Sequence, residues 1–230
     1  MAGNVAPNIV TDGLVLYLDA ANTKSYVSGS TSWNDISRSG TNGTLTNGPT
    51  FNSTNGGNIA FDGVNDFCLS VFTFPKTNNI SINIWGKYNL FPVAGNRGLF
   101  QIQNLGTTPS DQIKTVAGWV NPQGQMWGRL IDTVGAKNLP LVIGSTISLN
   151  TWYYFSYIAD GSNYNLYING DFKTQIAYNG VISNYDRIFL ATQGTEPANI
   201  NLSNASIYNR ALTSQEILQN YNATKTRFGL

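Results

Sequence analysis

The clearest pattern along the chain is Ile80-Ser81-Ile82-Asn83-Ile84, where three isoleucines alternate with two small polar residues. A period of two with β-branched residues predicts a half-buried strand, apolar on one face and polar on the other. Leu14-Val15-Leu16-Tyr17-Leu18 is a continuous apolar run of strand length, the pattern of a strand covered on both faces. Shorter runs at Ile59-Ala60-Phe61, from Phe67, from Leu99 to Ile102, from Gly118 to Val120 and from Gln125 to Ile131 predict further strands. The polar stretch 19–57 between the first strands holds Asn42-Gly43, Asn47-Gly48 and Gly56-Gly57, all turn signals. Residues 1–12 show no periodicity and read as an extended arm, free to reach onto a neighbouring subunit.

Three strands then follow in quick succession. Trp152 to Ile158 is the first, and Asp160-Gly161-Ser162-Asn163 is a loop. Tyr164, Leu166 and Ile168 share one face of the second. Asn169-Gly170, a type I′ turn signal, leads into the third at Phe172 to Ile176. Such tight connections dictate antiparallel pairing, because a parallel crossover needs a dozen or more residues. Only the tail predicts a helix. Thr213-Ser214-Gln215-Glu216 is a capping box, Leu212 and Ile217 form a staple across it, and Ile217, Leu218 and Tyr221 make one apolar stripe. The expected fold is therefore all-β: an extended arm (1–12), a two-sheet antiparallel jelly-roll sandwich (13–212), then a short C-terminal helix at about 214–222 and a tail (213–230).

Composition sharpens this reading. Charged residues are 11% of the chain, against a usual share of about 25%. The polar surface is built from Asn, Ser, Thr, Gly and Gln, which suits strands and turns better than long solvent-facing helices. A net charge of +1 with no basic run gives no means of neutralising phosphates, so no nucleic-acid partner is expected. No apolar stretch is long enough to span a bilayer and the first residues lack a secretion signal, so synthesis in a cytoplasm and no membrane partner are expected. The single cysteine, Cys68, lies between Phe67 and Leu69 and reads as a buried free thiol.

The same inventory limits catalysis. With no histidine, Ser-His-Asp and Cys-His arrangements and His-ligated metals are excluded. Glycoside hydrolysis needs a pair of carboxylates, and the glutamates are Glu196, which precedes a proline, and Glu216, which fits the helix cap. The chain is expected not to be an enzyme. Trp119, Trp127 and Arg129 are candidates for sugar binding: an indole offers a wide flat face with an N–H at its edge. The competing role for these aromatics is core packing. Tyr153, Tyr157 and Tyr167 are expected on an outer face, where they would suit a protein interface.

Several segments together resemble a known family. They are Asp12 to Asn22, Trp33-Asn34-Asp35-Ile36-Ser37, Gly48-Pro49-Thr50-Phe51, Phe61 to Phe67, the Trp152 to Gly170 hairpin, and Ile207 to Ile217. In this order they are similar to the laminin-G-like branch of the concanavalin A-like lectin/glucanase superfamily. The resemblance implies two packed antiparallel sheets, one of them concave, with Trp33, Trp85 and Trp152 in structural positions. Modules of this kind often bind calcium, which directs attention to Asp62 and Asp66, flanking Gly63 and Asn65 in an oxygen-rich turn. The family's acidic residue before the Ile207-Tyr208 strand is replaced here by Asn204 and Ala205, so the expectation is no cofactor, with calcium as the alternative. The opening and ending are similar to those of tailed-bacteriophage virion proteins. That implies a non-enzymatic virion structural protein, a capsid decoration or outer-surface accessory protein whose partners are other virion proteins or its own copies. The alternative is a lectin-like adhesin on a tail fibre or virion surface that binds host-surface glycans; a glucanase is the third reading.

Overall fold

The computed structural model describes residues 8–72, 78–103, 116–131, 136–138, 146–178, 186–193 and 196–230. In chain order the strands are Leu14–Asp19 (β1), Ser32–Trp33 (β2), Gly43–Thr46 (β3), Thr50–Asn52 (β4), Asn58–Asp62 (β5) and Phe67–Val71 (β6). Next come Asn79–Tyr88 (β7), Arg97–Gln103 (β8), Val116–Val120 (β9), Met126–Ile131 (β10), Ala136–Asn138 (β11) and Tyr153–Asp160 (β12). The last are Asn163–Ile168 (β13), Asp171–Ala177 (β14), Arg187–Leu190 (β15), Thr192–Gln193 (β16), Glu196–Pro197 (β17) and Asn199–Tyr208 (β18). One α-helix, Ser214–Thr224 (α1), precedes a 3-10 turn at Lys225–Phe228.

The strands make a sandwich of two antiparallel sheets. Sheet 1 has the order β14-β13-β12-β7-β18-β5-β4, with β1 beside the remaining length of β18. Sheet 2 has the order β11-β10-β9-β8-β15-β6-β3-β2. Ile80, Ile82 and Ile84 of β7 point into the space between the sheets, as their spacing predicts, and join Phe100, Ile102, Val116, Ile188 and Leu190 in one buried cluster. Trp33 is buried in the same core.

The local signals in the sequence act as expected. Asn169 and Gly170 both take positive φ (56° and 85°), the requirement of a type I′ turn, and join β13 to β14. Asp160 Oδ1 accepts from the Ser162 and Asn163 amides and so closes the preceding loop. At the helix, Thr213 Oγ1 accepts from the Glu216 amide at 3.3 Å, and Glu216 Oε2 accepts from the Thr213 amide at 2.9 Å.

Two expectations are corrected. Ser81 and Asn83 do not face solvent. By register Asn83 lies opposite Ser156 and Ser206, and all are buried, because the outer face of sheet 1 is covered by α1 and by residues 8–12. Tyr157 is not an outer-face residue either. It is fully buried in the core, edge-on to Phe100 with ring centroids 5.1 Å apart. Both faces of β12 are apolar because the helix covers one and the other sheet covers the other, so its pattern does not reveal which side is in.

A second, aromatic layer fixes the helix. Trp85 stacks on Phe228 at 4.1 Å and on Tyr221 at 5.7 Å, and its Nε1 donates to Thr224 Oγ1 at 2.7 Å. Trp152 packs on Phe228 at 4.7 Å. The described end of the arm stays on its own domain: the Val10 amide donates to Asn220 Oδ1, and Tyr208 Oη donates to the Val10 carbonyl.

Candidate ligand-binding face

Among the described residues no helix packs on the outer face of sheet 2 as α1 does on sheet 1, and the middle strands of sheet 2 place the sugar-binding candidates. In β9, Val116, Gly118 and Val120 face the core; in β10, Met126, Gly128 and Leu130 do. Alternation therefore turns Ala117 and Trp119, and Trp127 and Arg129, outward. Asn121 sets the register of this hairpin. Its Oδ1 accepts from the Gln123 and Gln125 amides, and Gly124 closes the turn at φ 74°. As a result Trp119 lies directly opposite Trp127, with ring centroids 5.9 Å apart and planes at 30°.

The core behind the pair explains why glycines flank the tryptophans. Gly118 and Gly128 are paired across the two strands. A Cβ on Gly118 would lie 2.7 Å from the rings of Phe100 and Tyr157. The absent side chains let Tyr157 reach across from sheet 1 and donate to the Trp127 carbonyl at 2.7 Å. Tyr164 reaches the Ala117 carbonyl in the same way, at 3.2 Å. The two sheets are thus bonded through the core beneath the tryptophans.

The structure brings Trp119, Trp127 and Arg129 onto one face but does not expose them equally. Trp119 keeps only 4% of its surface open, and Trp127 and Arg129 are half-buried. Ala117 separates Arg129 from Gln101 in one cross-strand row, continued by Phe189 of β15. Four buried polar atoms on this face have no hydrogen-bond partner: Trp119 Nε1, Trp127 Nε1, Arg129 Nε and Gln101 Oε1. Leaving such groups unmatched costs about 1–3 kcal/mol each, so the face carries unspent hydrogen-bonding capacity. Gln101 is the member that composition and motif reading missed; its place in the row follows only from the pairing of β8 with β9.

Asp62 and Asp66 also come together, but as a turn lock. Asp66 Oδ2 accepts from the Asp62 amide at 3.0 Å, and Asp62 Oδ1 accepts from the Val64 amide at 2.8 Å. Burial, together with the neighbouring Asp62 charge, pushes the Asp66 carboxyl above its ordinary value, against the lowering by its amide hydrogen bond. Among the described residues no group of three His, Cys, Asp or Glu side chains is placed to hold a metal. Glu216 is occupied: Arg210 donates to both its oxygens at 2.9 and 2.6 Å and holds the carboxyl down at about 2. Glu196 lies in the ribbon β16–β17, away from the helix cap in sequence and element.

The profile of the concanavalin A-like lectin/glucanases superfamily (Laminin_G_3) matches residues 61–218. The chain belongs to this superfamily. No curated protein matches it in sequence. Among solved structures, this concanavalin A-like domain is similar to the binding domain of Paraclostridial Mosquitocidal Protein 1, at 18% identity and a TM-score of 0.69 over 92% of this chain and 52% of that one. It is similar to the ligand binding domain of Botulinum neurotoxin serotype D, solved in complex with N-acetylneuraminic acid, at 15% identity and a TM-score of 0.70 over 92% and 51%. A third is the Trypanosoma rangeli sialidase in complex with 2,3-difluorosialic acid, at 14% identity and a TM-score of 0.67 over 94% and 34%. The domain spans about half the length of the toxin binding domains it matches. At these identities the likeness is one of fold. Among the described residues no helix is long and apolar enough to cross a membrane.

Proposed function

We propose that this lectin-like domain is a non-catalytic glycan-binding module whose ligand surface is the outer face of sheet 2. One observation carries the reading: the paired indoles of Trp119 and Trp127 on the outward side of sheet 2, Trp127 half-open, with both ring N–H groups buried and unpartnered. Half-buried Trp127 supplies the face on which a sugar ring stacks, and buried Trp119 braces it. Binding rather than turnover is supported by the acids. Glu216 is tied to Arg210 and the helix cap, and Asp62 and Asp66 lock a turn. No cofactor is invoked, since two turn-locking carboxylates offer calcium too few free oxygens. A glycan array tests the reading. Binding should be lost in Trp127→Ala with the unfolding midpoint retained; binding unaffected by that change, or no bound glycan, overturns it. Release of sugar from a bound polysaccharide would overturn the non-catalytic part.

An exposed apolar patch favours a second role beside the first, as an outer-surface component of a bacteriophage virion, on the capsid or on a tail fibre. Phe172 is 52% exposed and Leu218 45%. Phe172 packs edge-on to Tyr167 at 5.5 Å, and Leu218 abuts Gly170 of the same hairpin. Such a patch, on a surface with little net charge to repel neighbours, suits contact with other virion proteins or with copies of the chain. Mass spectrometry of purified particles tests this setting, and absence of the chain from them would end it.

A further inference from the structure

We infer that the saccharide taken by the outer face of sheet 2 is an anionic one, whose carboxylate or sulfate is received by Arg129; this rests on the glycan-binding reading above. The unpartnered groups are unevenly divided. Trp119 Nε1, Trp127 Nε1 and Arg129 Nε are donors, and only Gln101 Oε1 is an acceptor. The amide nitrogen of Gln101 is already spent on Gln103 Oε1 at 2.7 Å. Hydroxyls of a neutral sugar both donate and accept, so a face built for them alone would present acceptors as freely as donors. A carboxylate or sulfate only accepts, so it suits a face whose unmatched groups are mostly N–H donors.

Charge points the same way. Arg129 takes part in no ion pair among the described residues, whereas Arg187, outward on the same sheet, is matched by Asp186 at 2.6 Å. The outward positions of β8 and β9 beside it, Gln101 and Ala117, are uncharged. A half-buried guanidinium with a buried, unpartnered Nε and no counter-ion among the described residues is unfavourable by itself, and its planar fork fits an oxyanion. Arg129 lies two residues along β10 from Trp127, on the same face, about 6.6 Å away by strand rise. At that backbone spacing the arginine side chain is long enough to meet an acidic substituent on a sugar ring stacked on the indole.

The test compares matched ligands: sialylated, uronic-acid and sulfated oligosaccharides against their desialylated, carboxyl-reduced and desulfated counterparts. An acidic member should bind roughly tenfold or more tightly than its neutral match, the worth of one charge-assisted hydrogen bond. The preference should shrink as salt rises. Arg129→Gln should erase the preference, and Arg129→Lys should keep part of it, each with the unfolding midpoint of the parent. The carboxylate and sulfate arms show which anion is taken. Equal binding of neutral counterparts, or a preference that survives Arg129→Gln, overturns the inference and leaves glycan binding standing. Failure of every glycan to bind overturns the reading on which it rests.

Discussion

At the scale of single residues, two side-chain environments make firm expectations. Glu216 is held by Arg210 and by the Thr213 amide, and its carboxyl sits at about 2 against an ordinary 4.5. A depressed folded-state value stabilises the fold fully above the ordinary value, and that contribution disappears as pH falls from 4.5 toward 2. Glu216→Gln should therefore lower stability at pH 7 by about 1–2 kcal/mol, and it should flatten the acid limb of a thermal-unfolding series in that window. A variant as acid-sensitive as the parent would contradict this. Gly118 is the second case. Its Cβ would meet two rings that cannot give way, since Tyr157 is anchored on the Trp127 carbonyl and lies edge-on to Phe100. Gly118→Ala should cost about 1–3 kcal/mol by overpacking, read from urea unfolding. It should also disturb the Trp119–Trp127 pair on the opposite face.

The helix and its tail matter at the scale of elements. Arg227 donates to both oxygens of Asp19 at 2.8 and 2.9 Å, fastening the C-terminal turn to β1. The Asp19 carboxylate is 3% exposed and also accepts from Tyr17 Oη and the Ala21 amide. Arg227→Met would leave that carboxylate buried without its cation. The loss should be about 2–3 kcal/mol, below the full value for a buried pair because Arg227 is 30% exposed. Chemical denaturation at neutral pH measures it, and a change within error would show that the tail is not fastened there. This layer is also where reading from sequence runs out. The capping box, the Asn169-Gly170 turn and the Ile80–Ile84 alternation are legible because each is set by neighbours in the chain. The burial of Ser81 and Asn83 is not, since an alternating strand looks the same whether its polar face meets water or the residues packed under α1. β18 hides for another reason. A bulge between Leu202 and Asn204 shifts its parity, so Ile200 and Leu202, then Ala205 and Ile207, all face inward with two polar residues between them. The candidate face was half legible. The sequence places Trp119, Trp127 and Arg129 on two short strands, but their alignment by the Asn121 to Gly124 turn, the exposure of each indole and the arrival of Gln101 emerge only in the folded chain.

At the scale of the whole molecule, Cys68 offers a reporter that joins stability to binding. Its thiol lies in the core between the sheets with no exposed surface, and burial pushes it up to about 12. Its reaction with a thiol reagent near pH 8 therefore requires opening of the sandwich, since neither access nor thiolate is available in the closed state. Cys68 is on β6, whereas the proposed ligand face is centred on β9 and β10, so a bound glycan does not shield the sulfur directly. Any protection must then come from mass action on the folded state. A ligand at a hundred times its dissociation constant should slow labelling by about a hundredfold if the opening dismantles the ligand face as well. Trp127→Ala should remove the protection without altering the rate in the absence of ligand by more than its own effect on stability. Labelling that is slow yet insensitive to a bound glycan would mean that β6 opens on its own while β9 and β10 stay closed. Because Phe189 of β15 pairs with Leu69 on one side and with Gln101 on the other, the strand beside β6 is also part of the ligand row, and such independence is not expected.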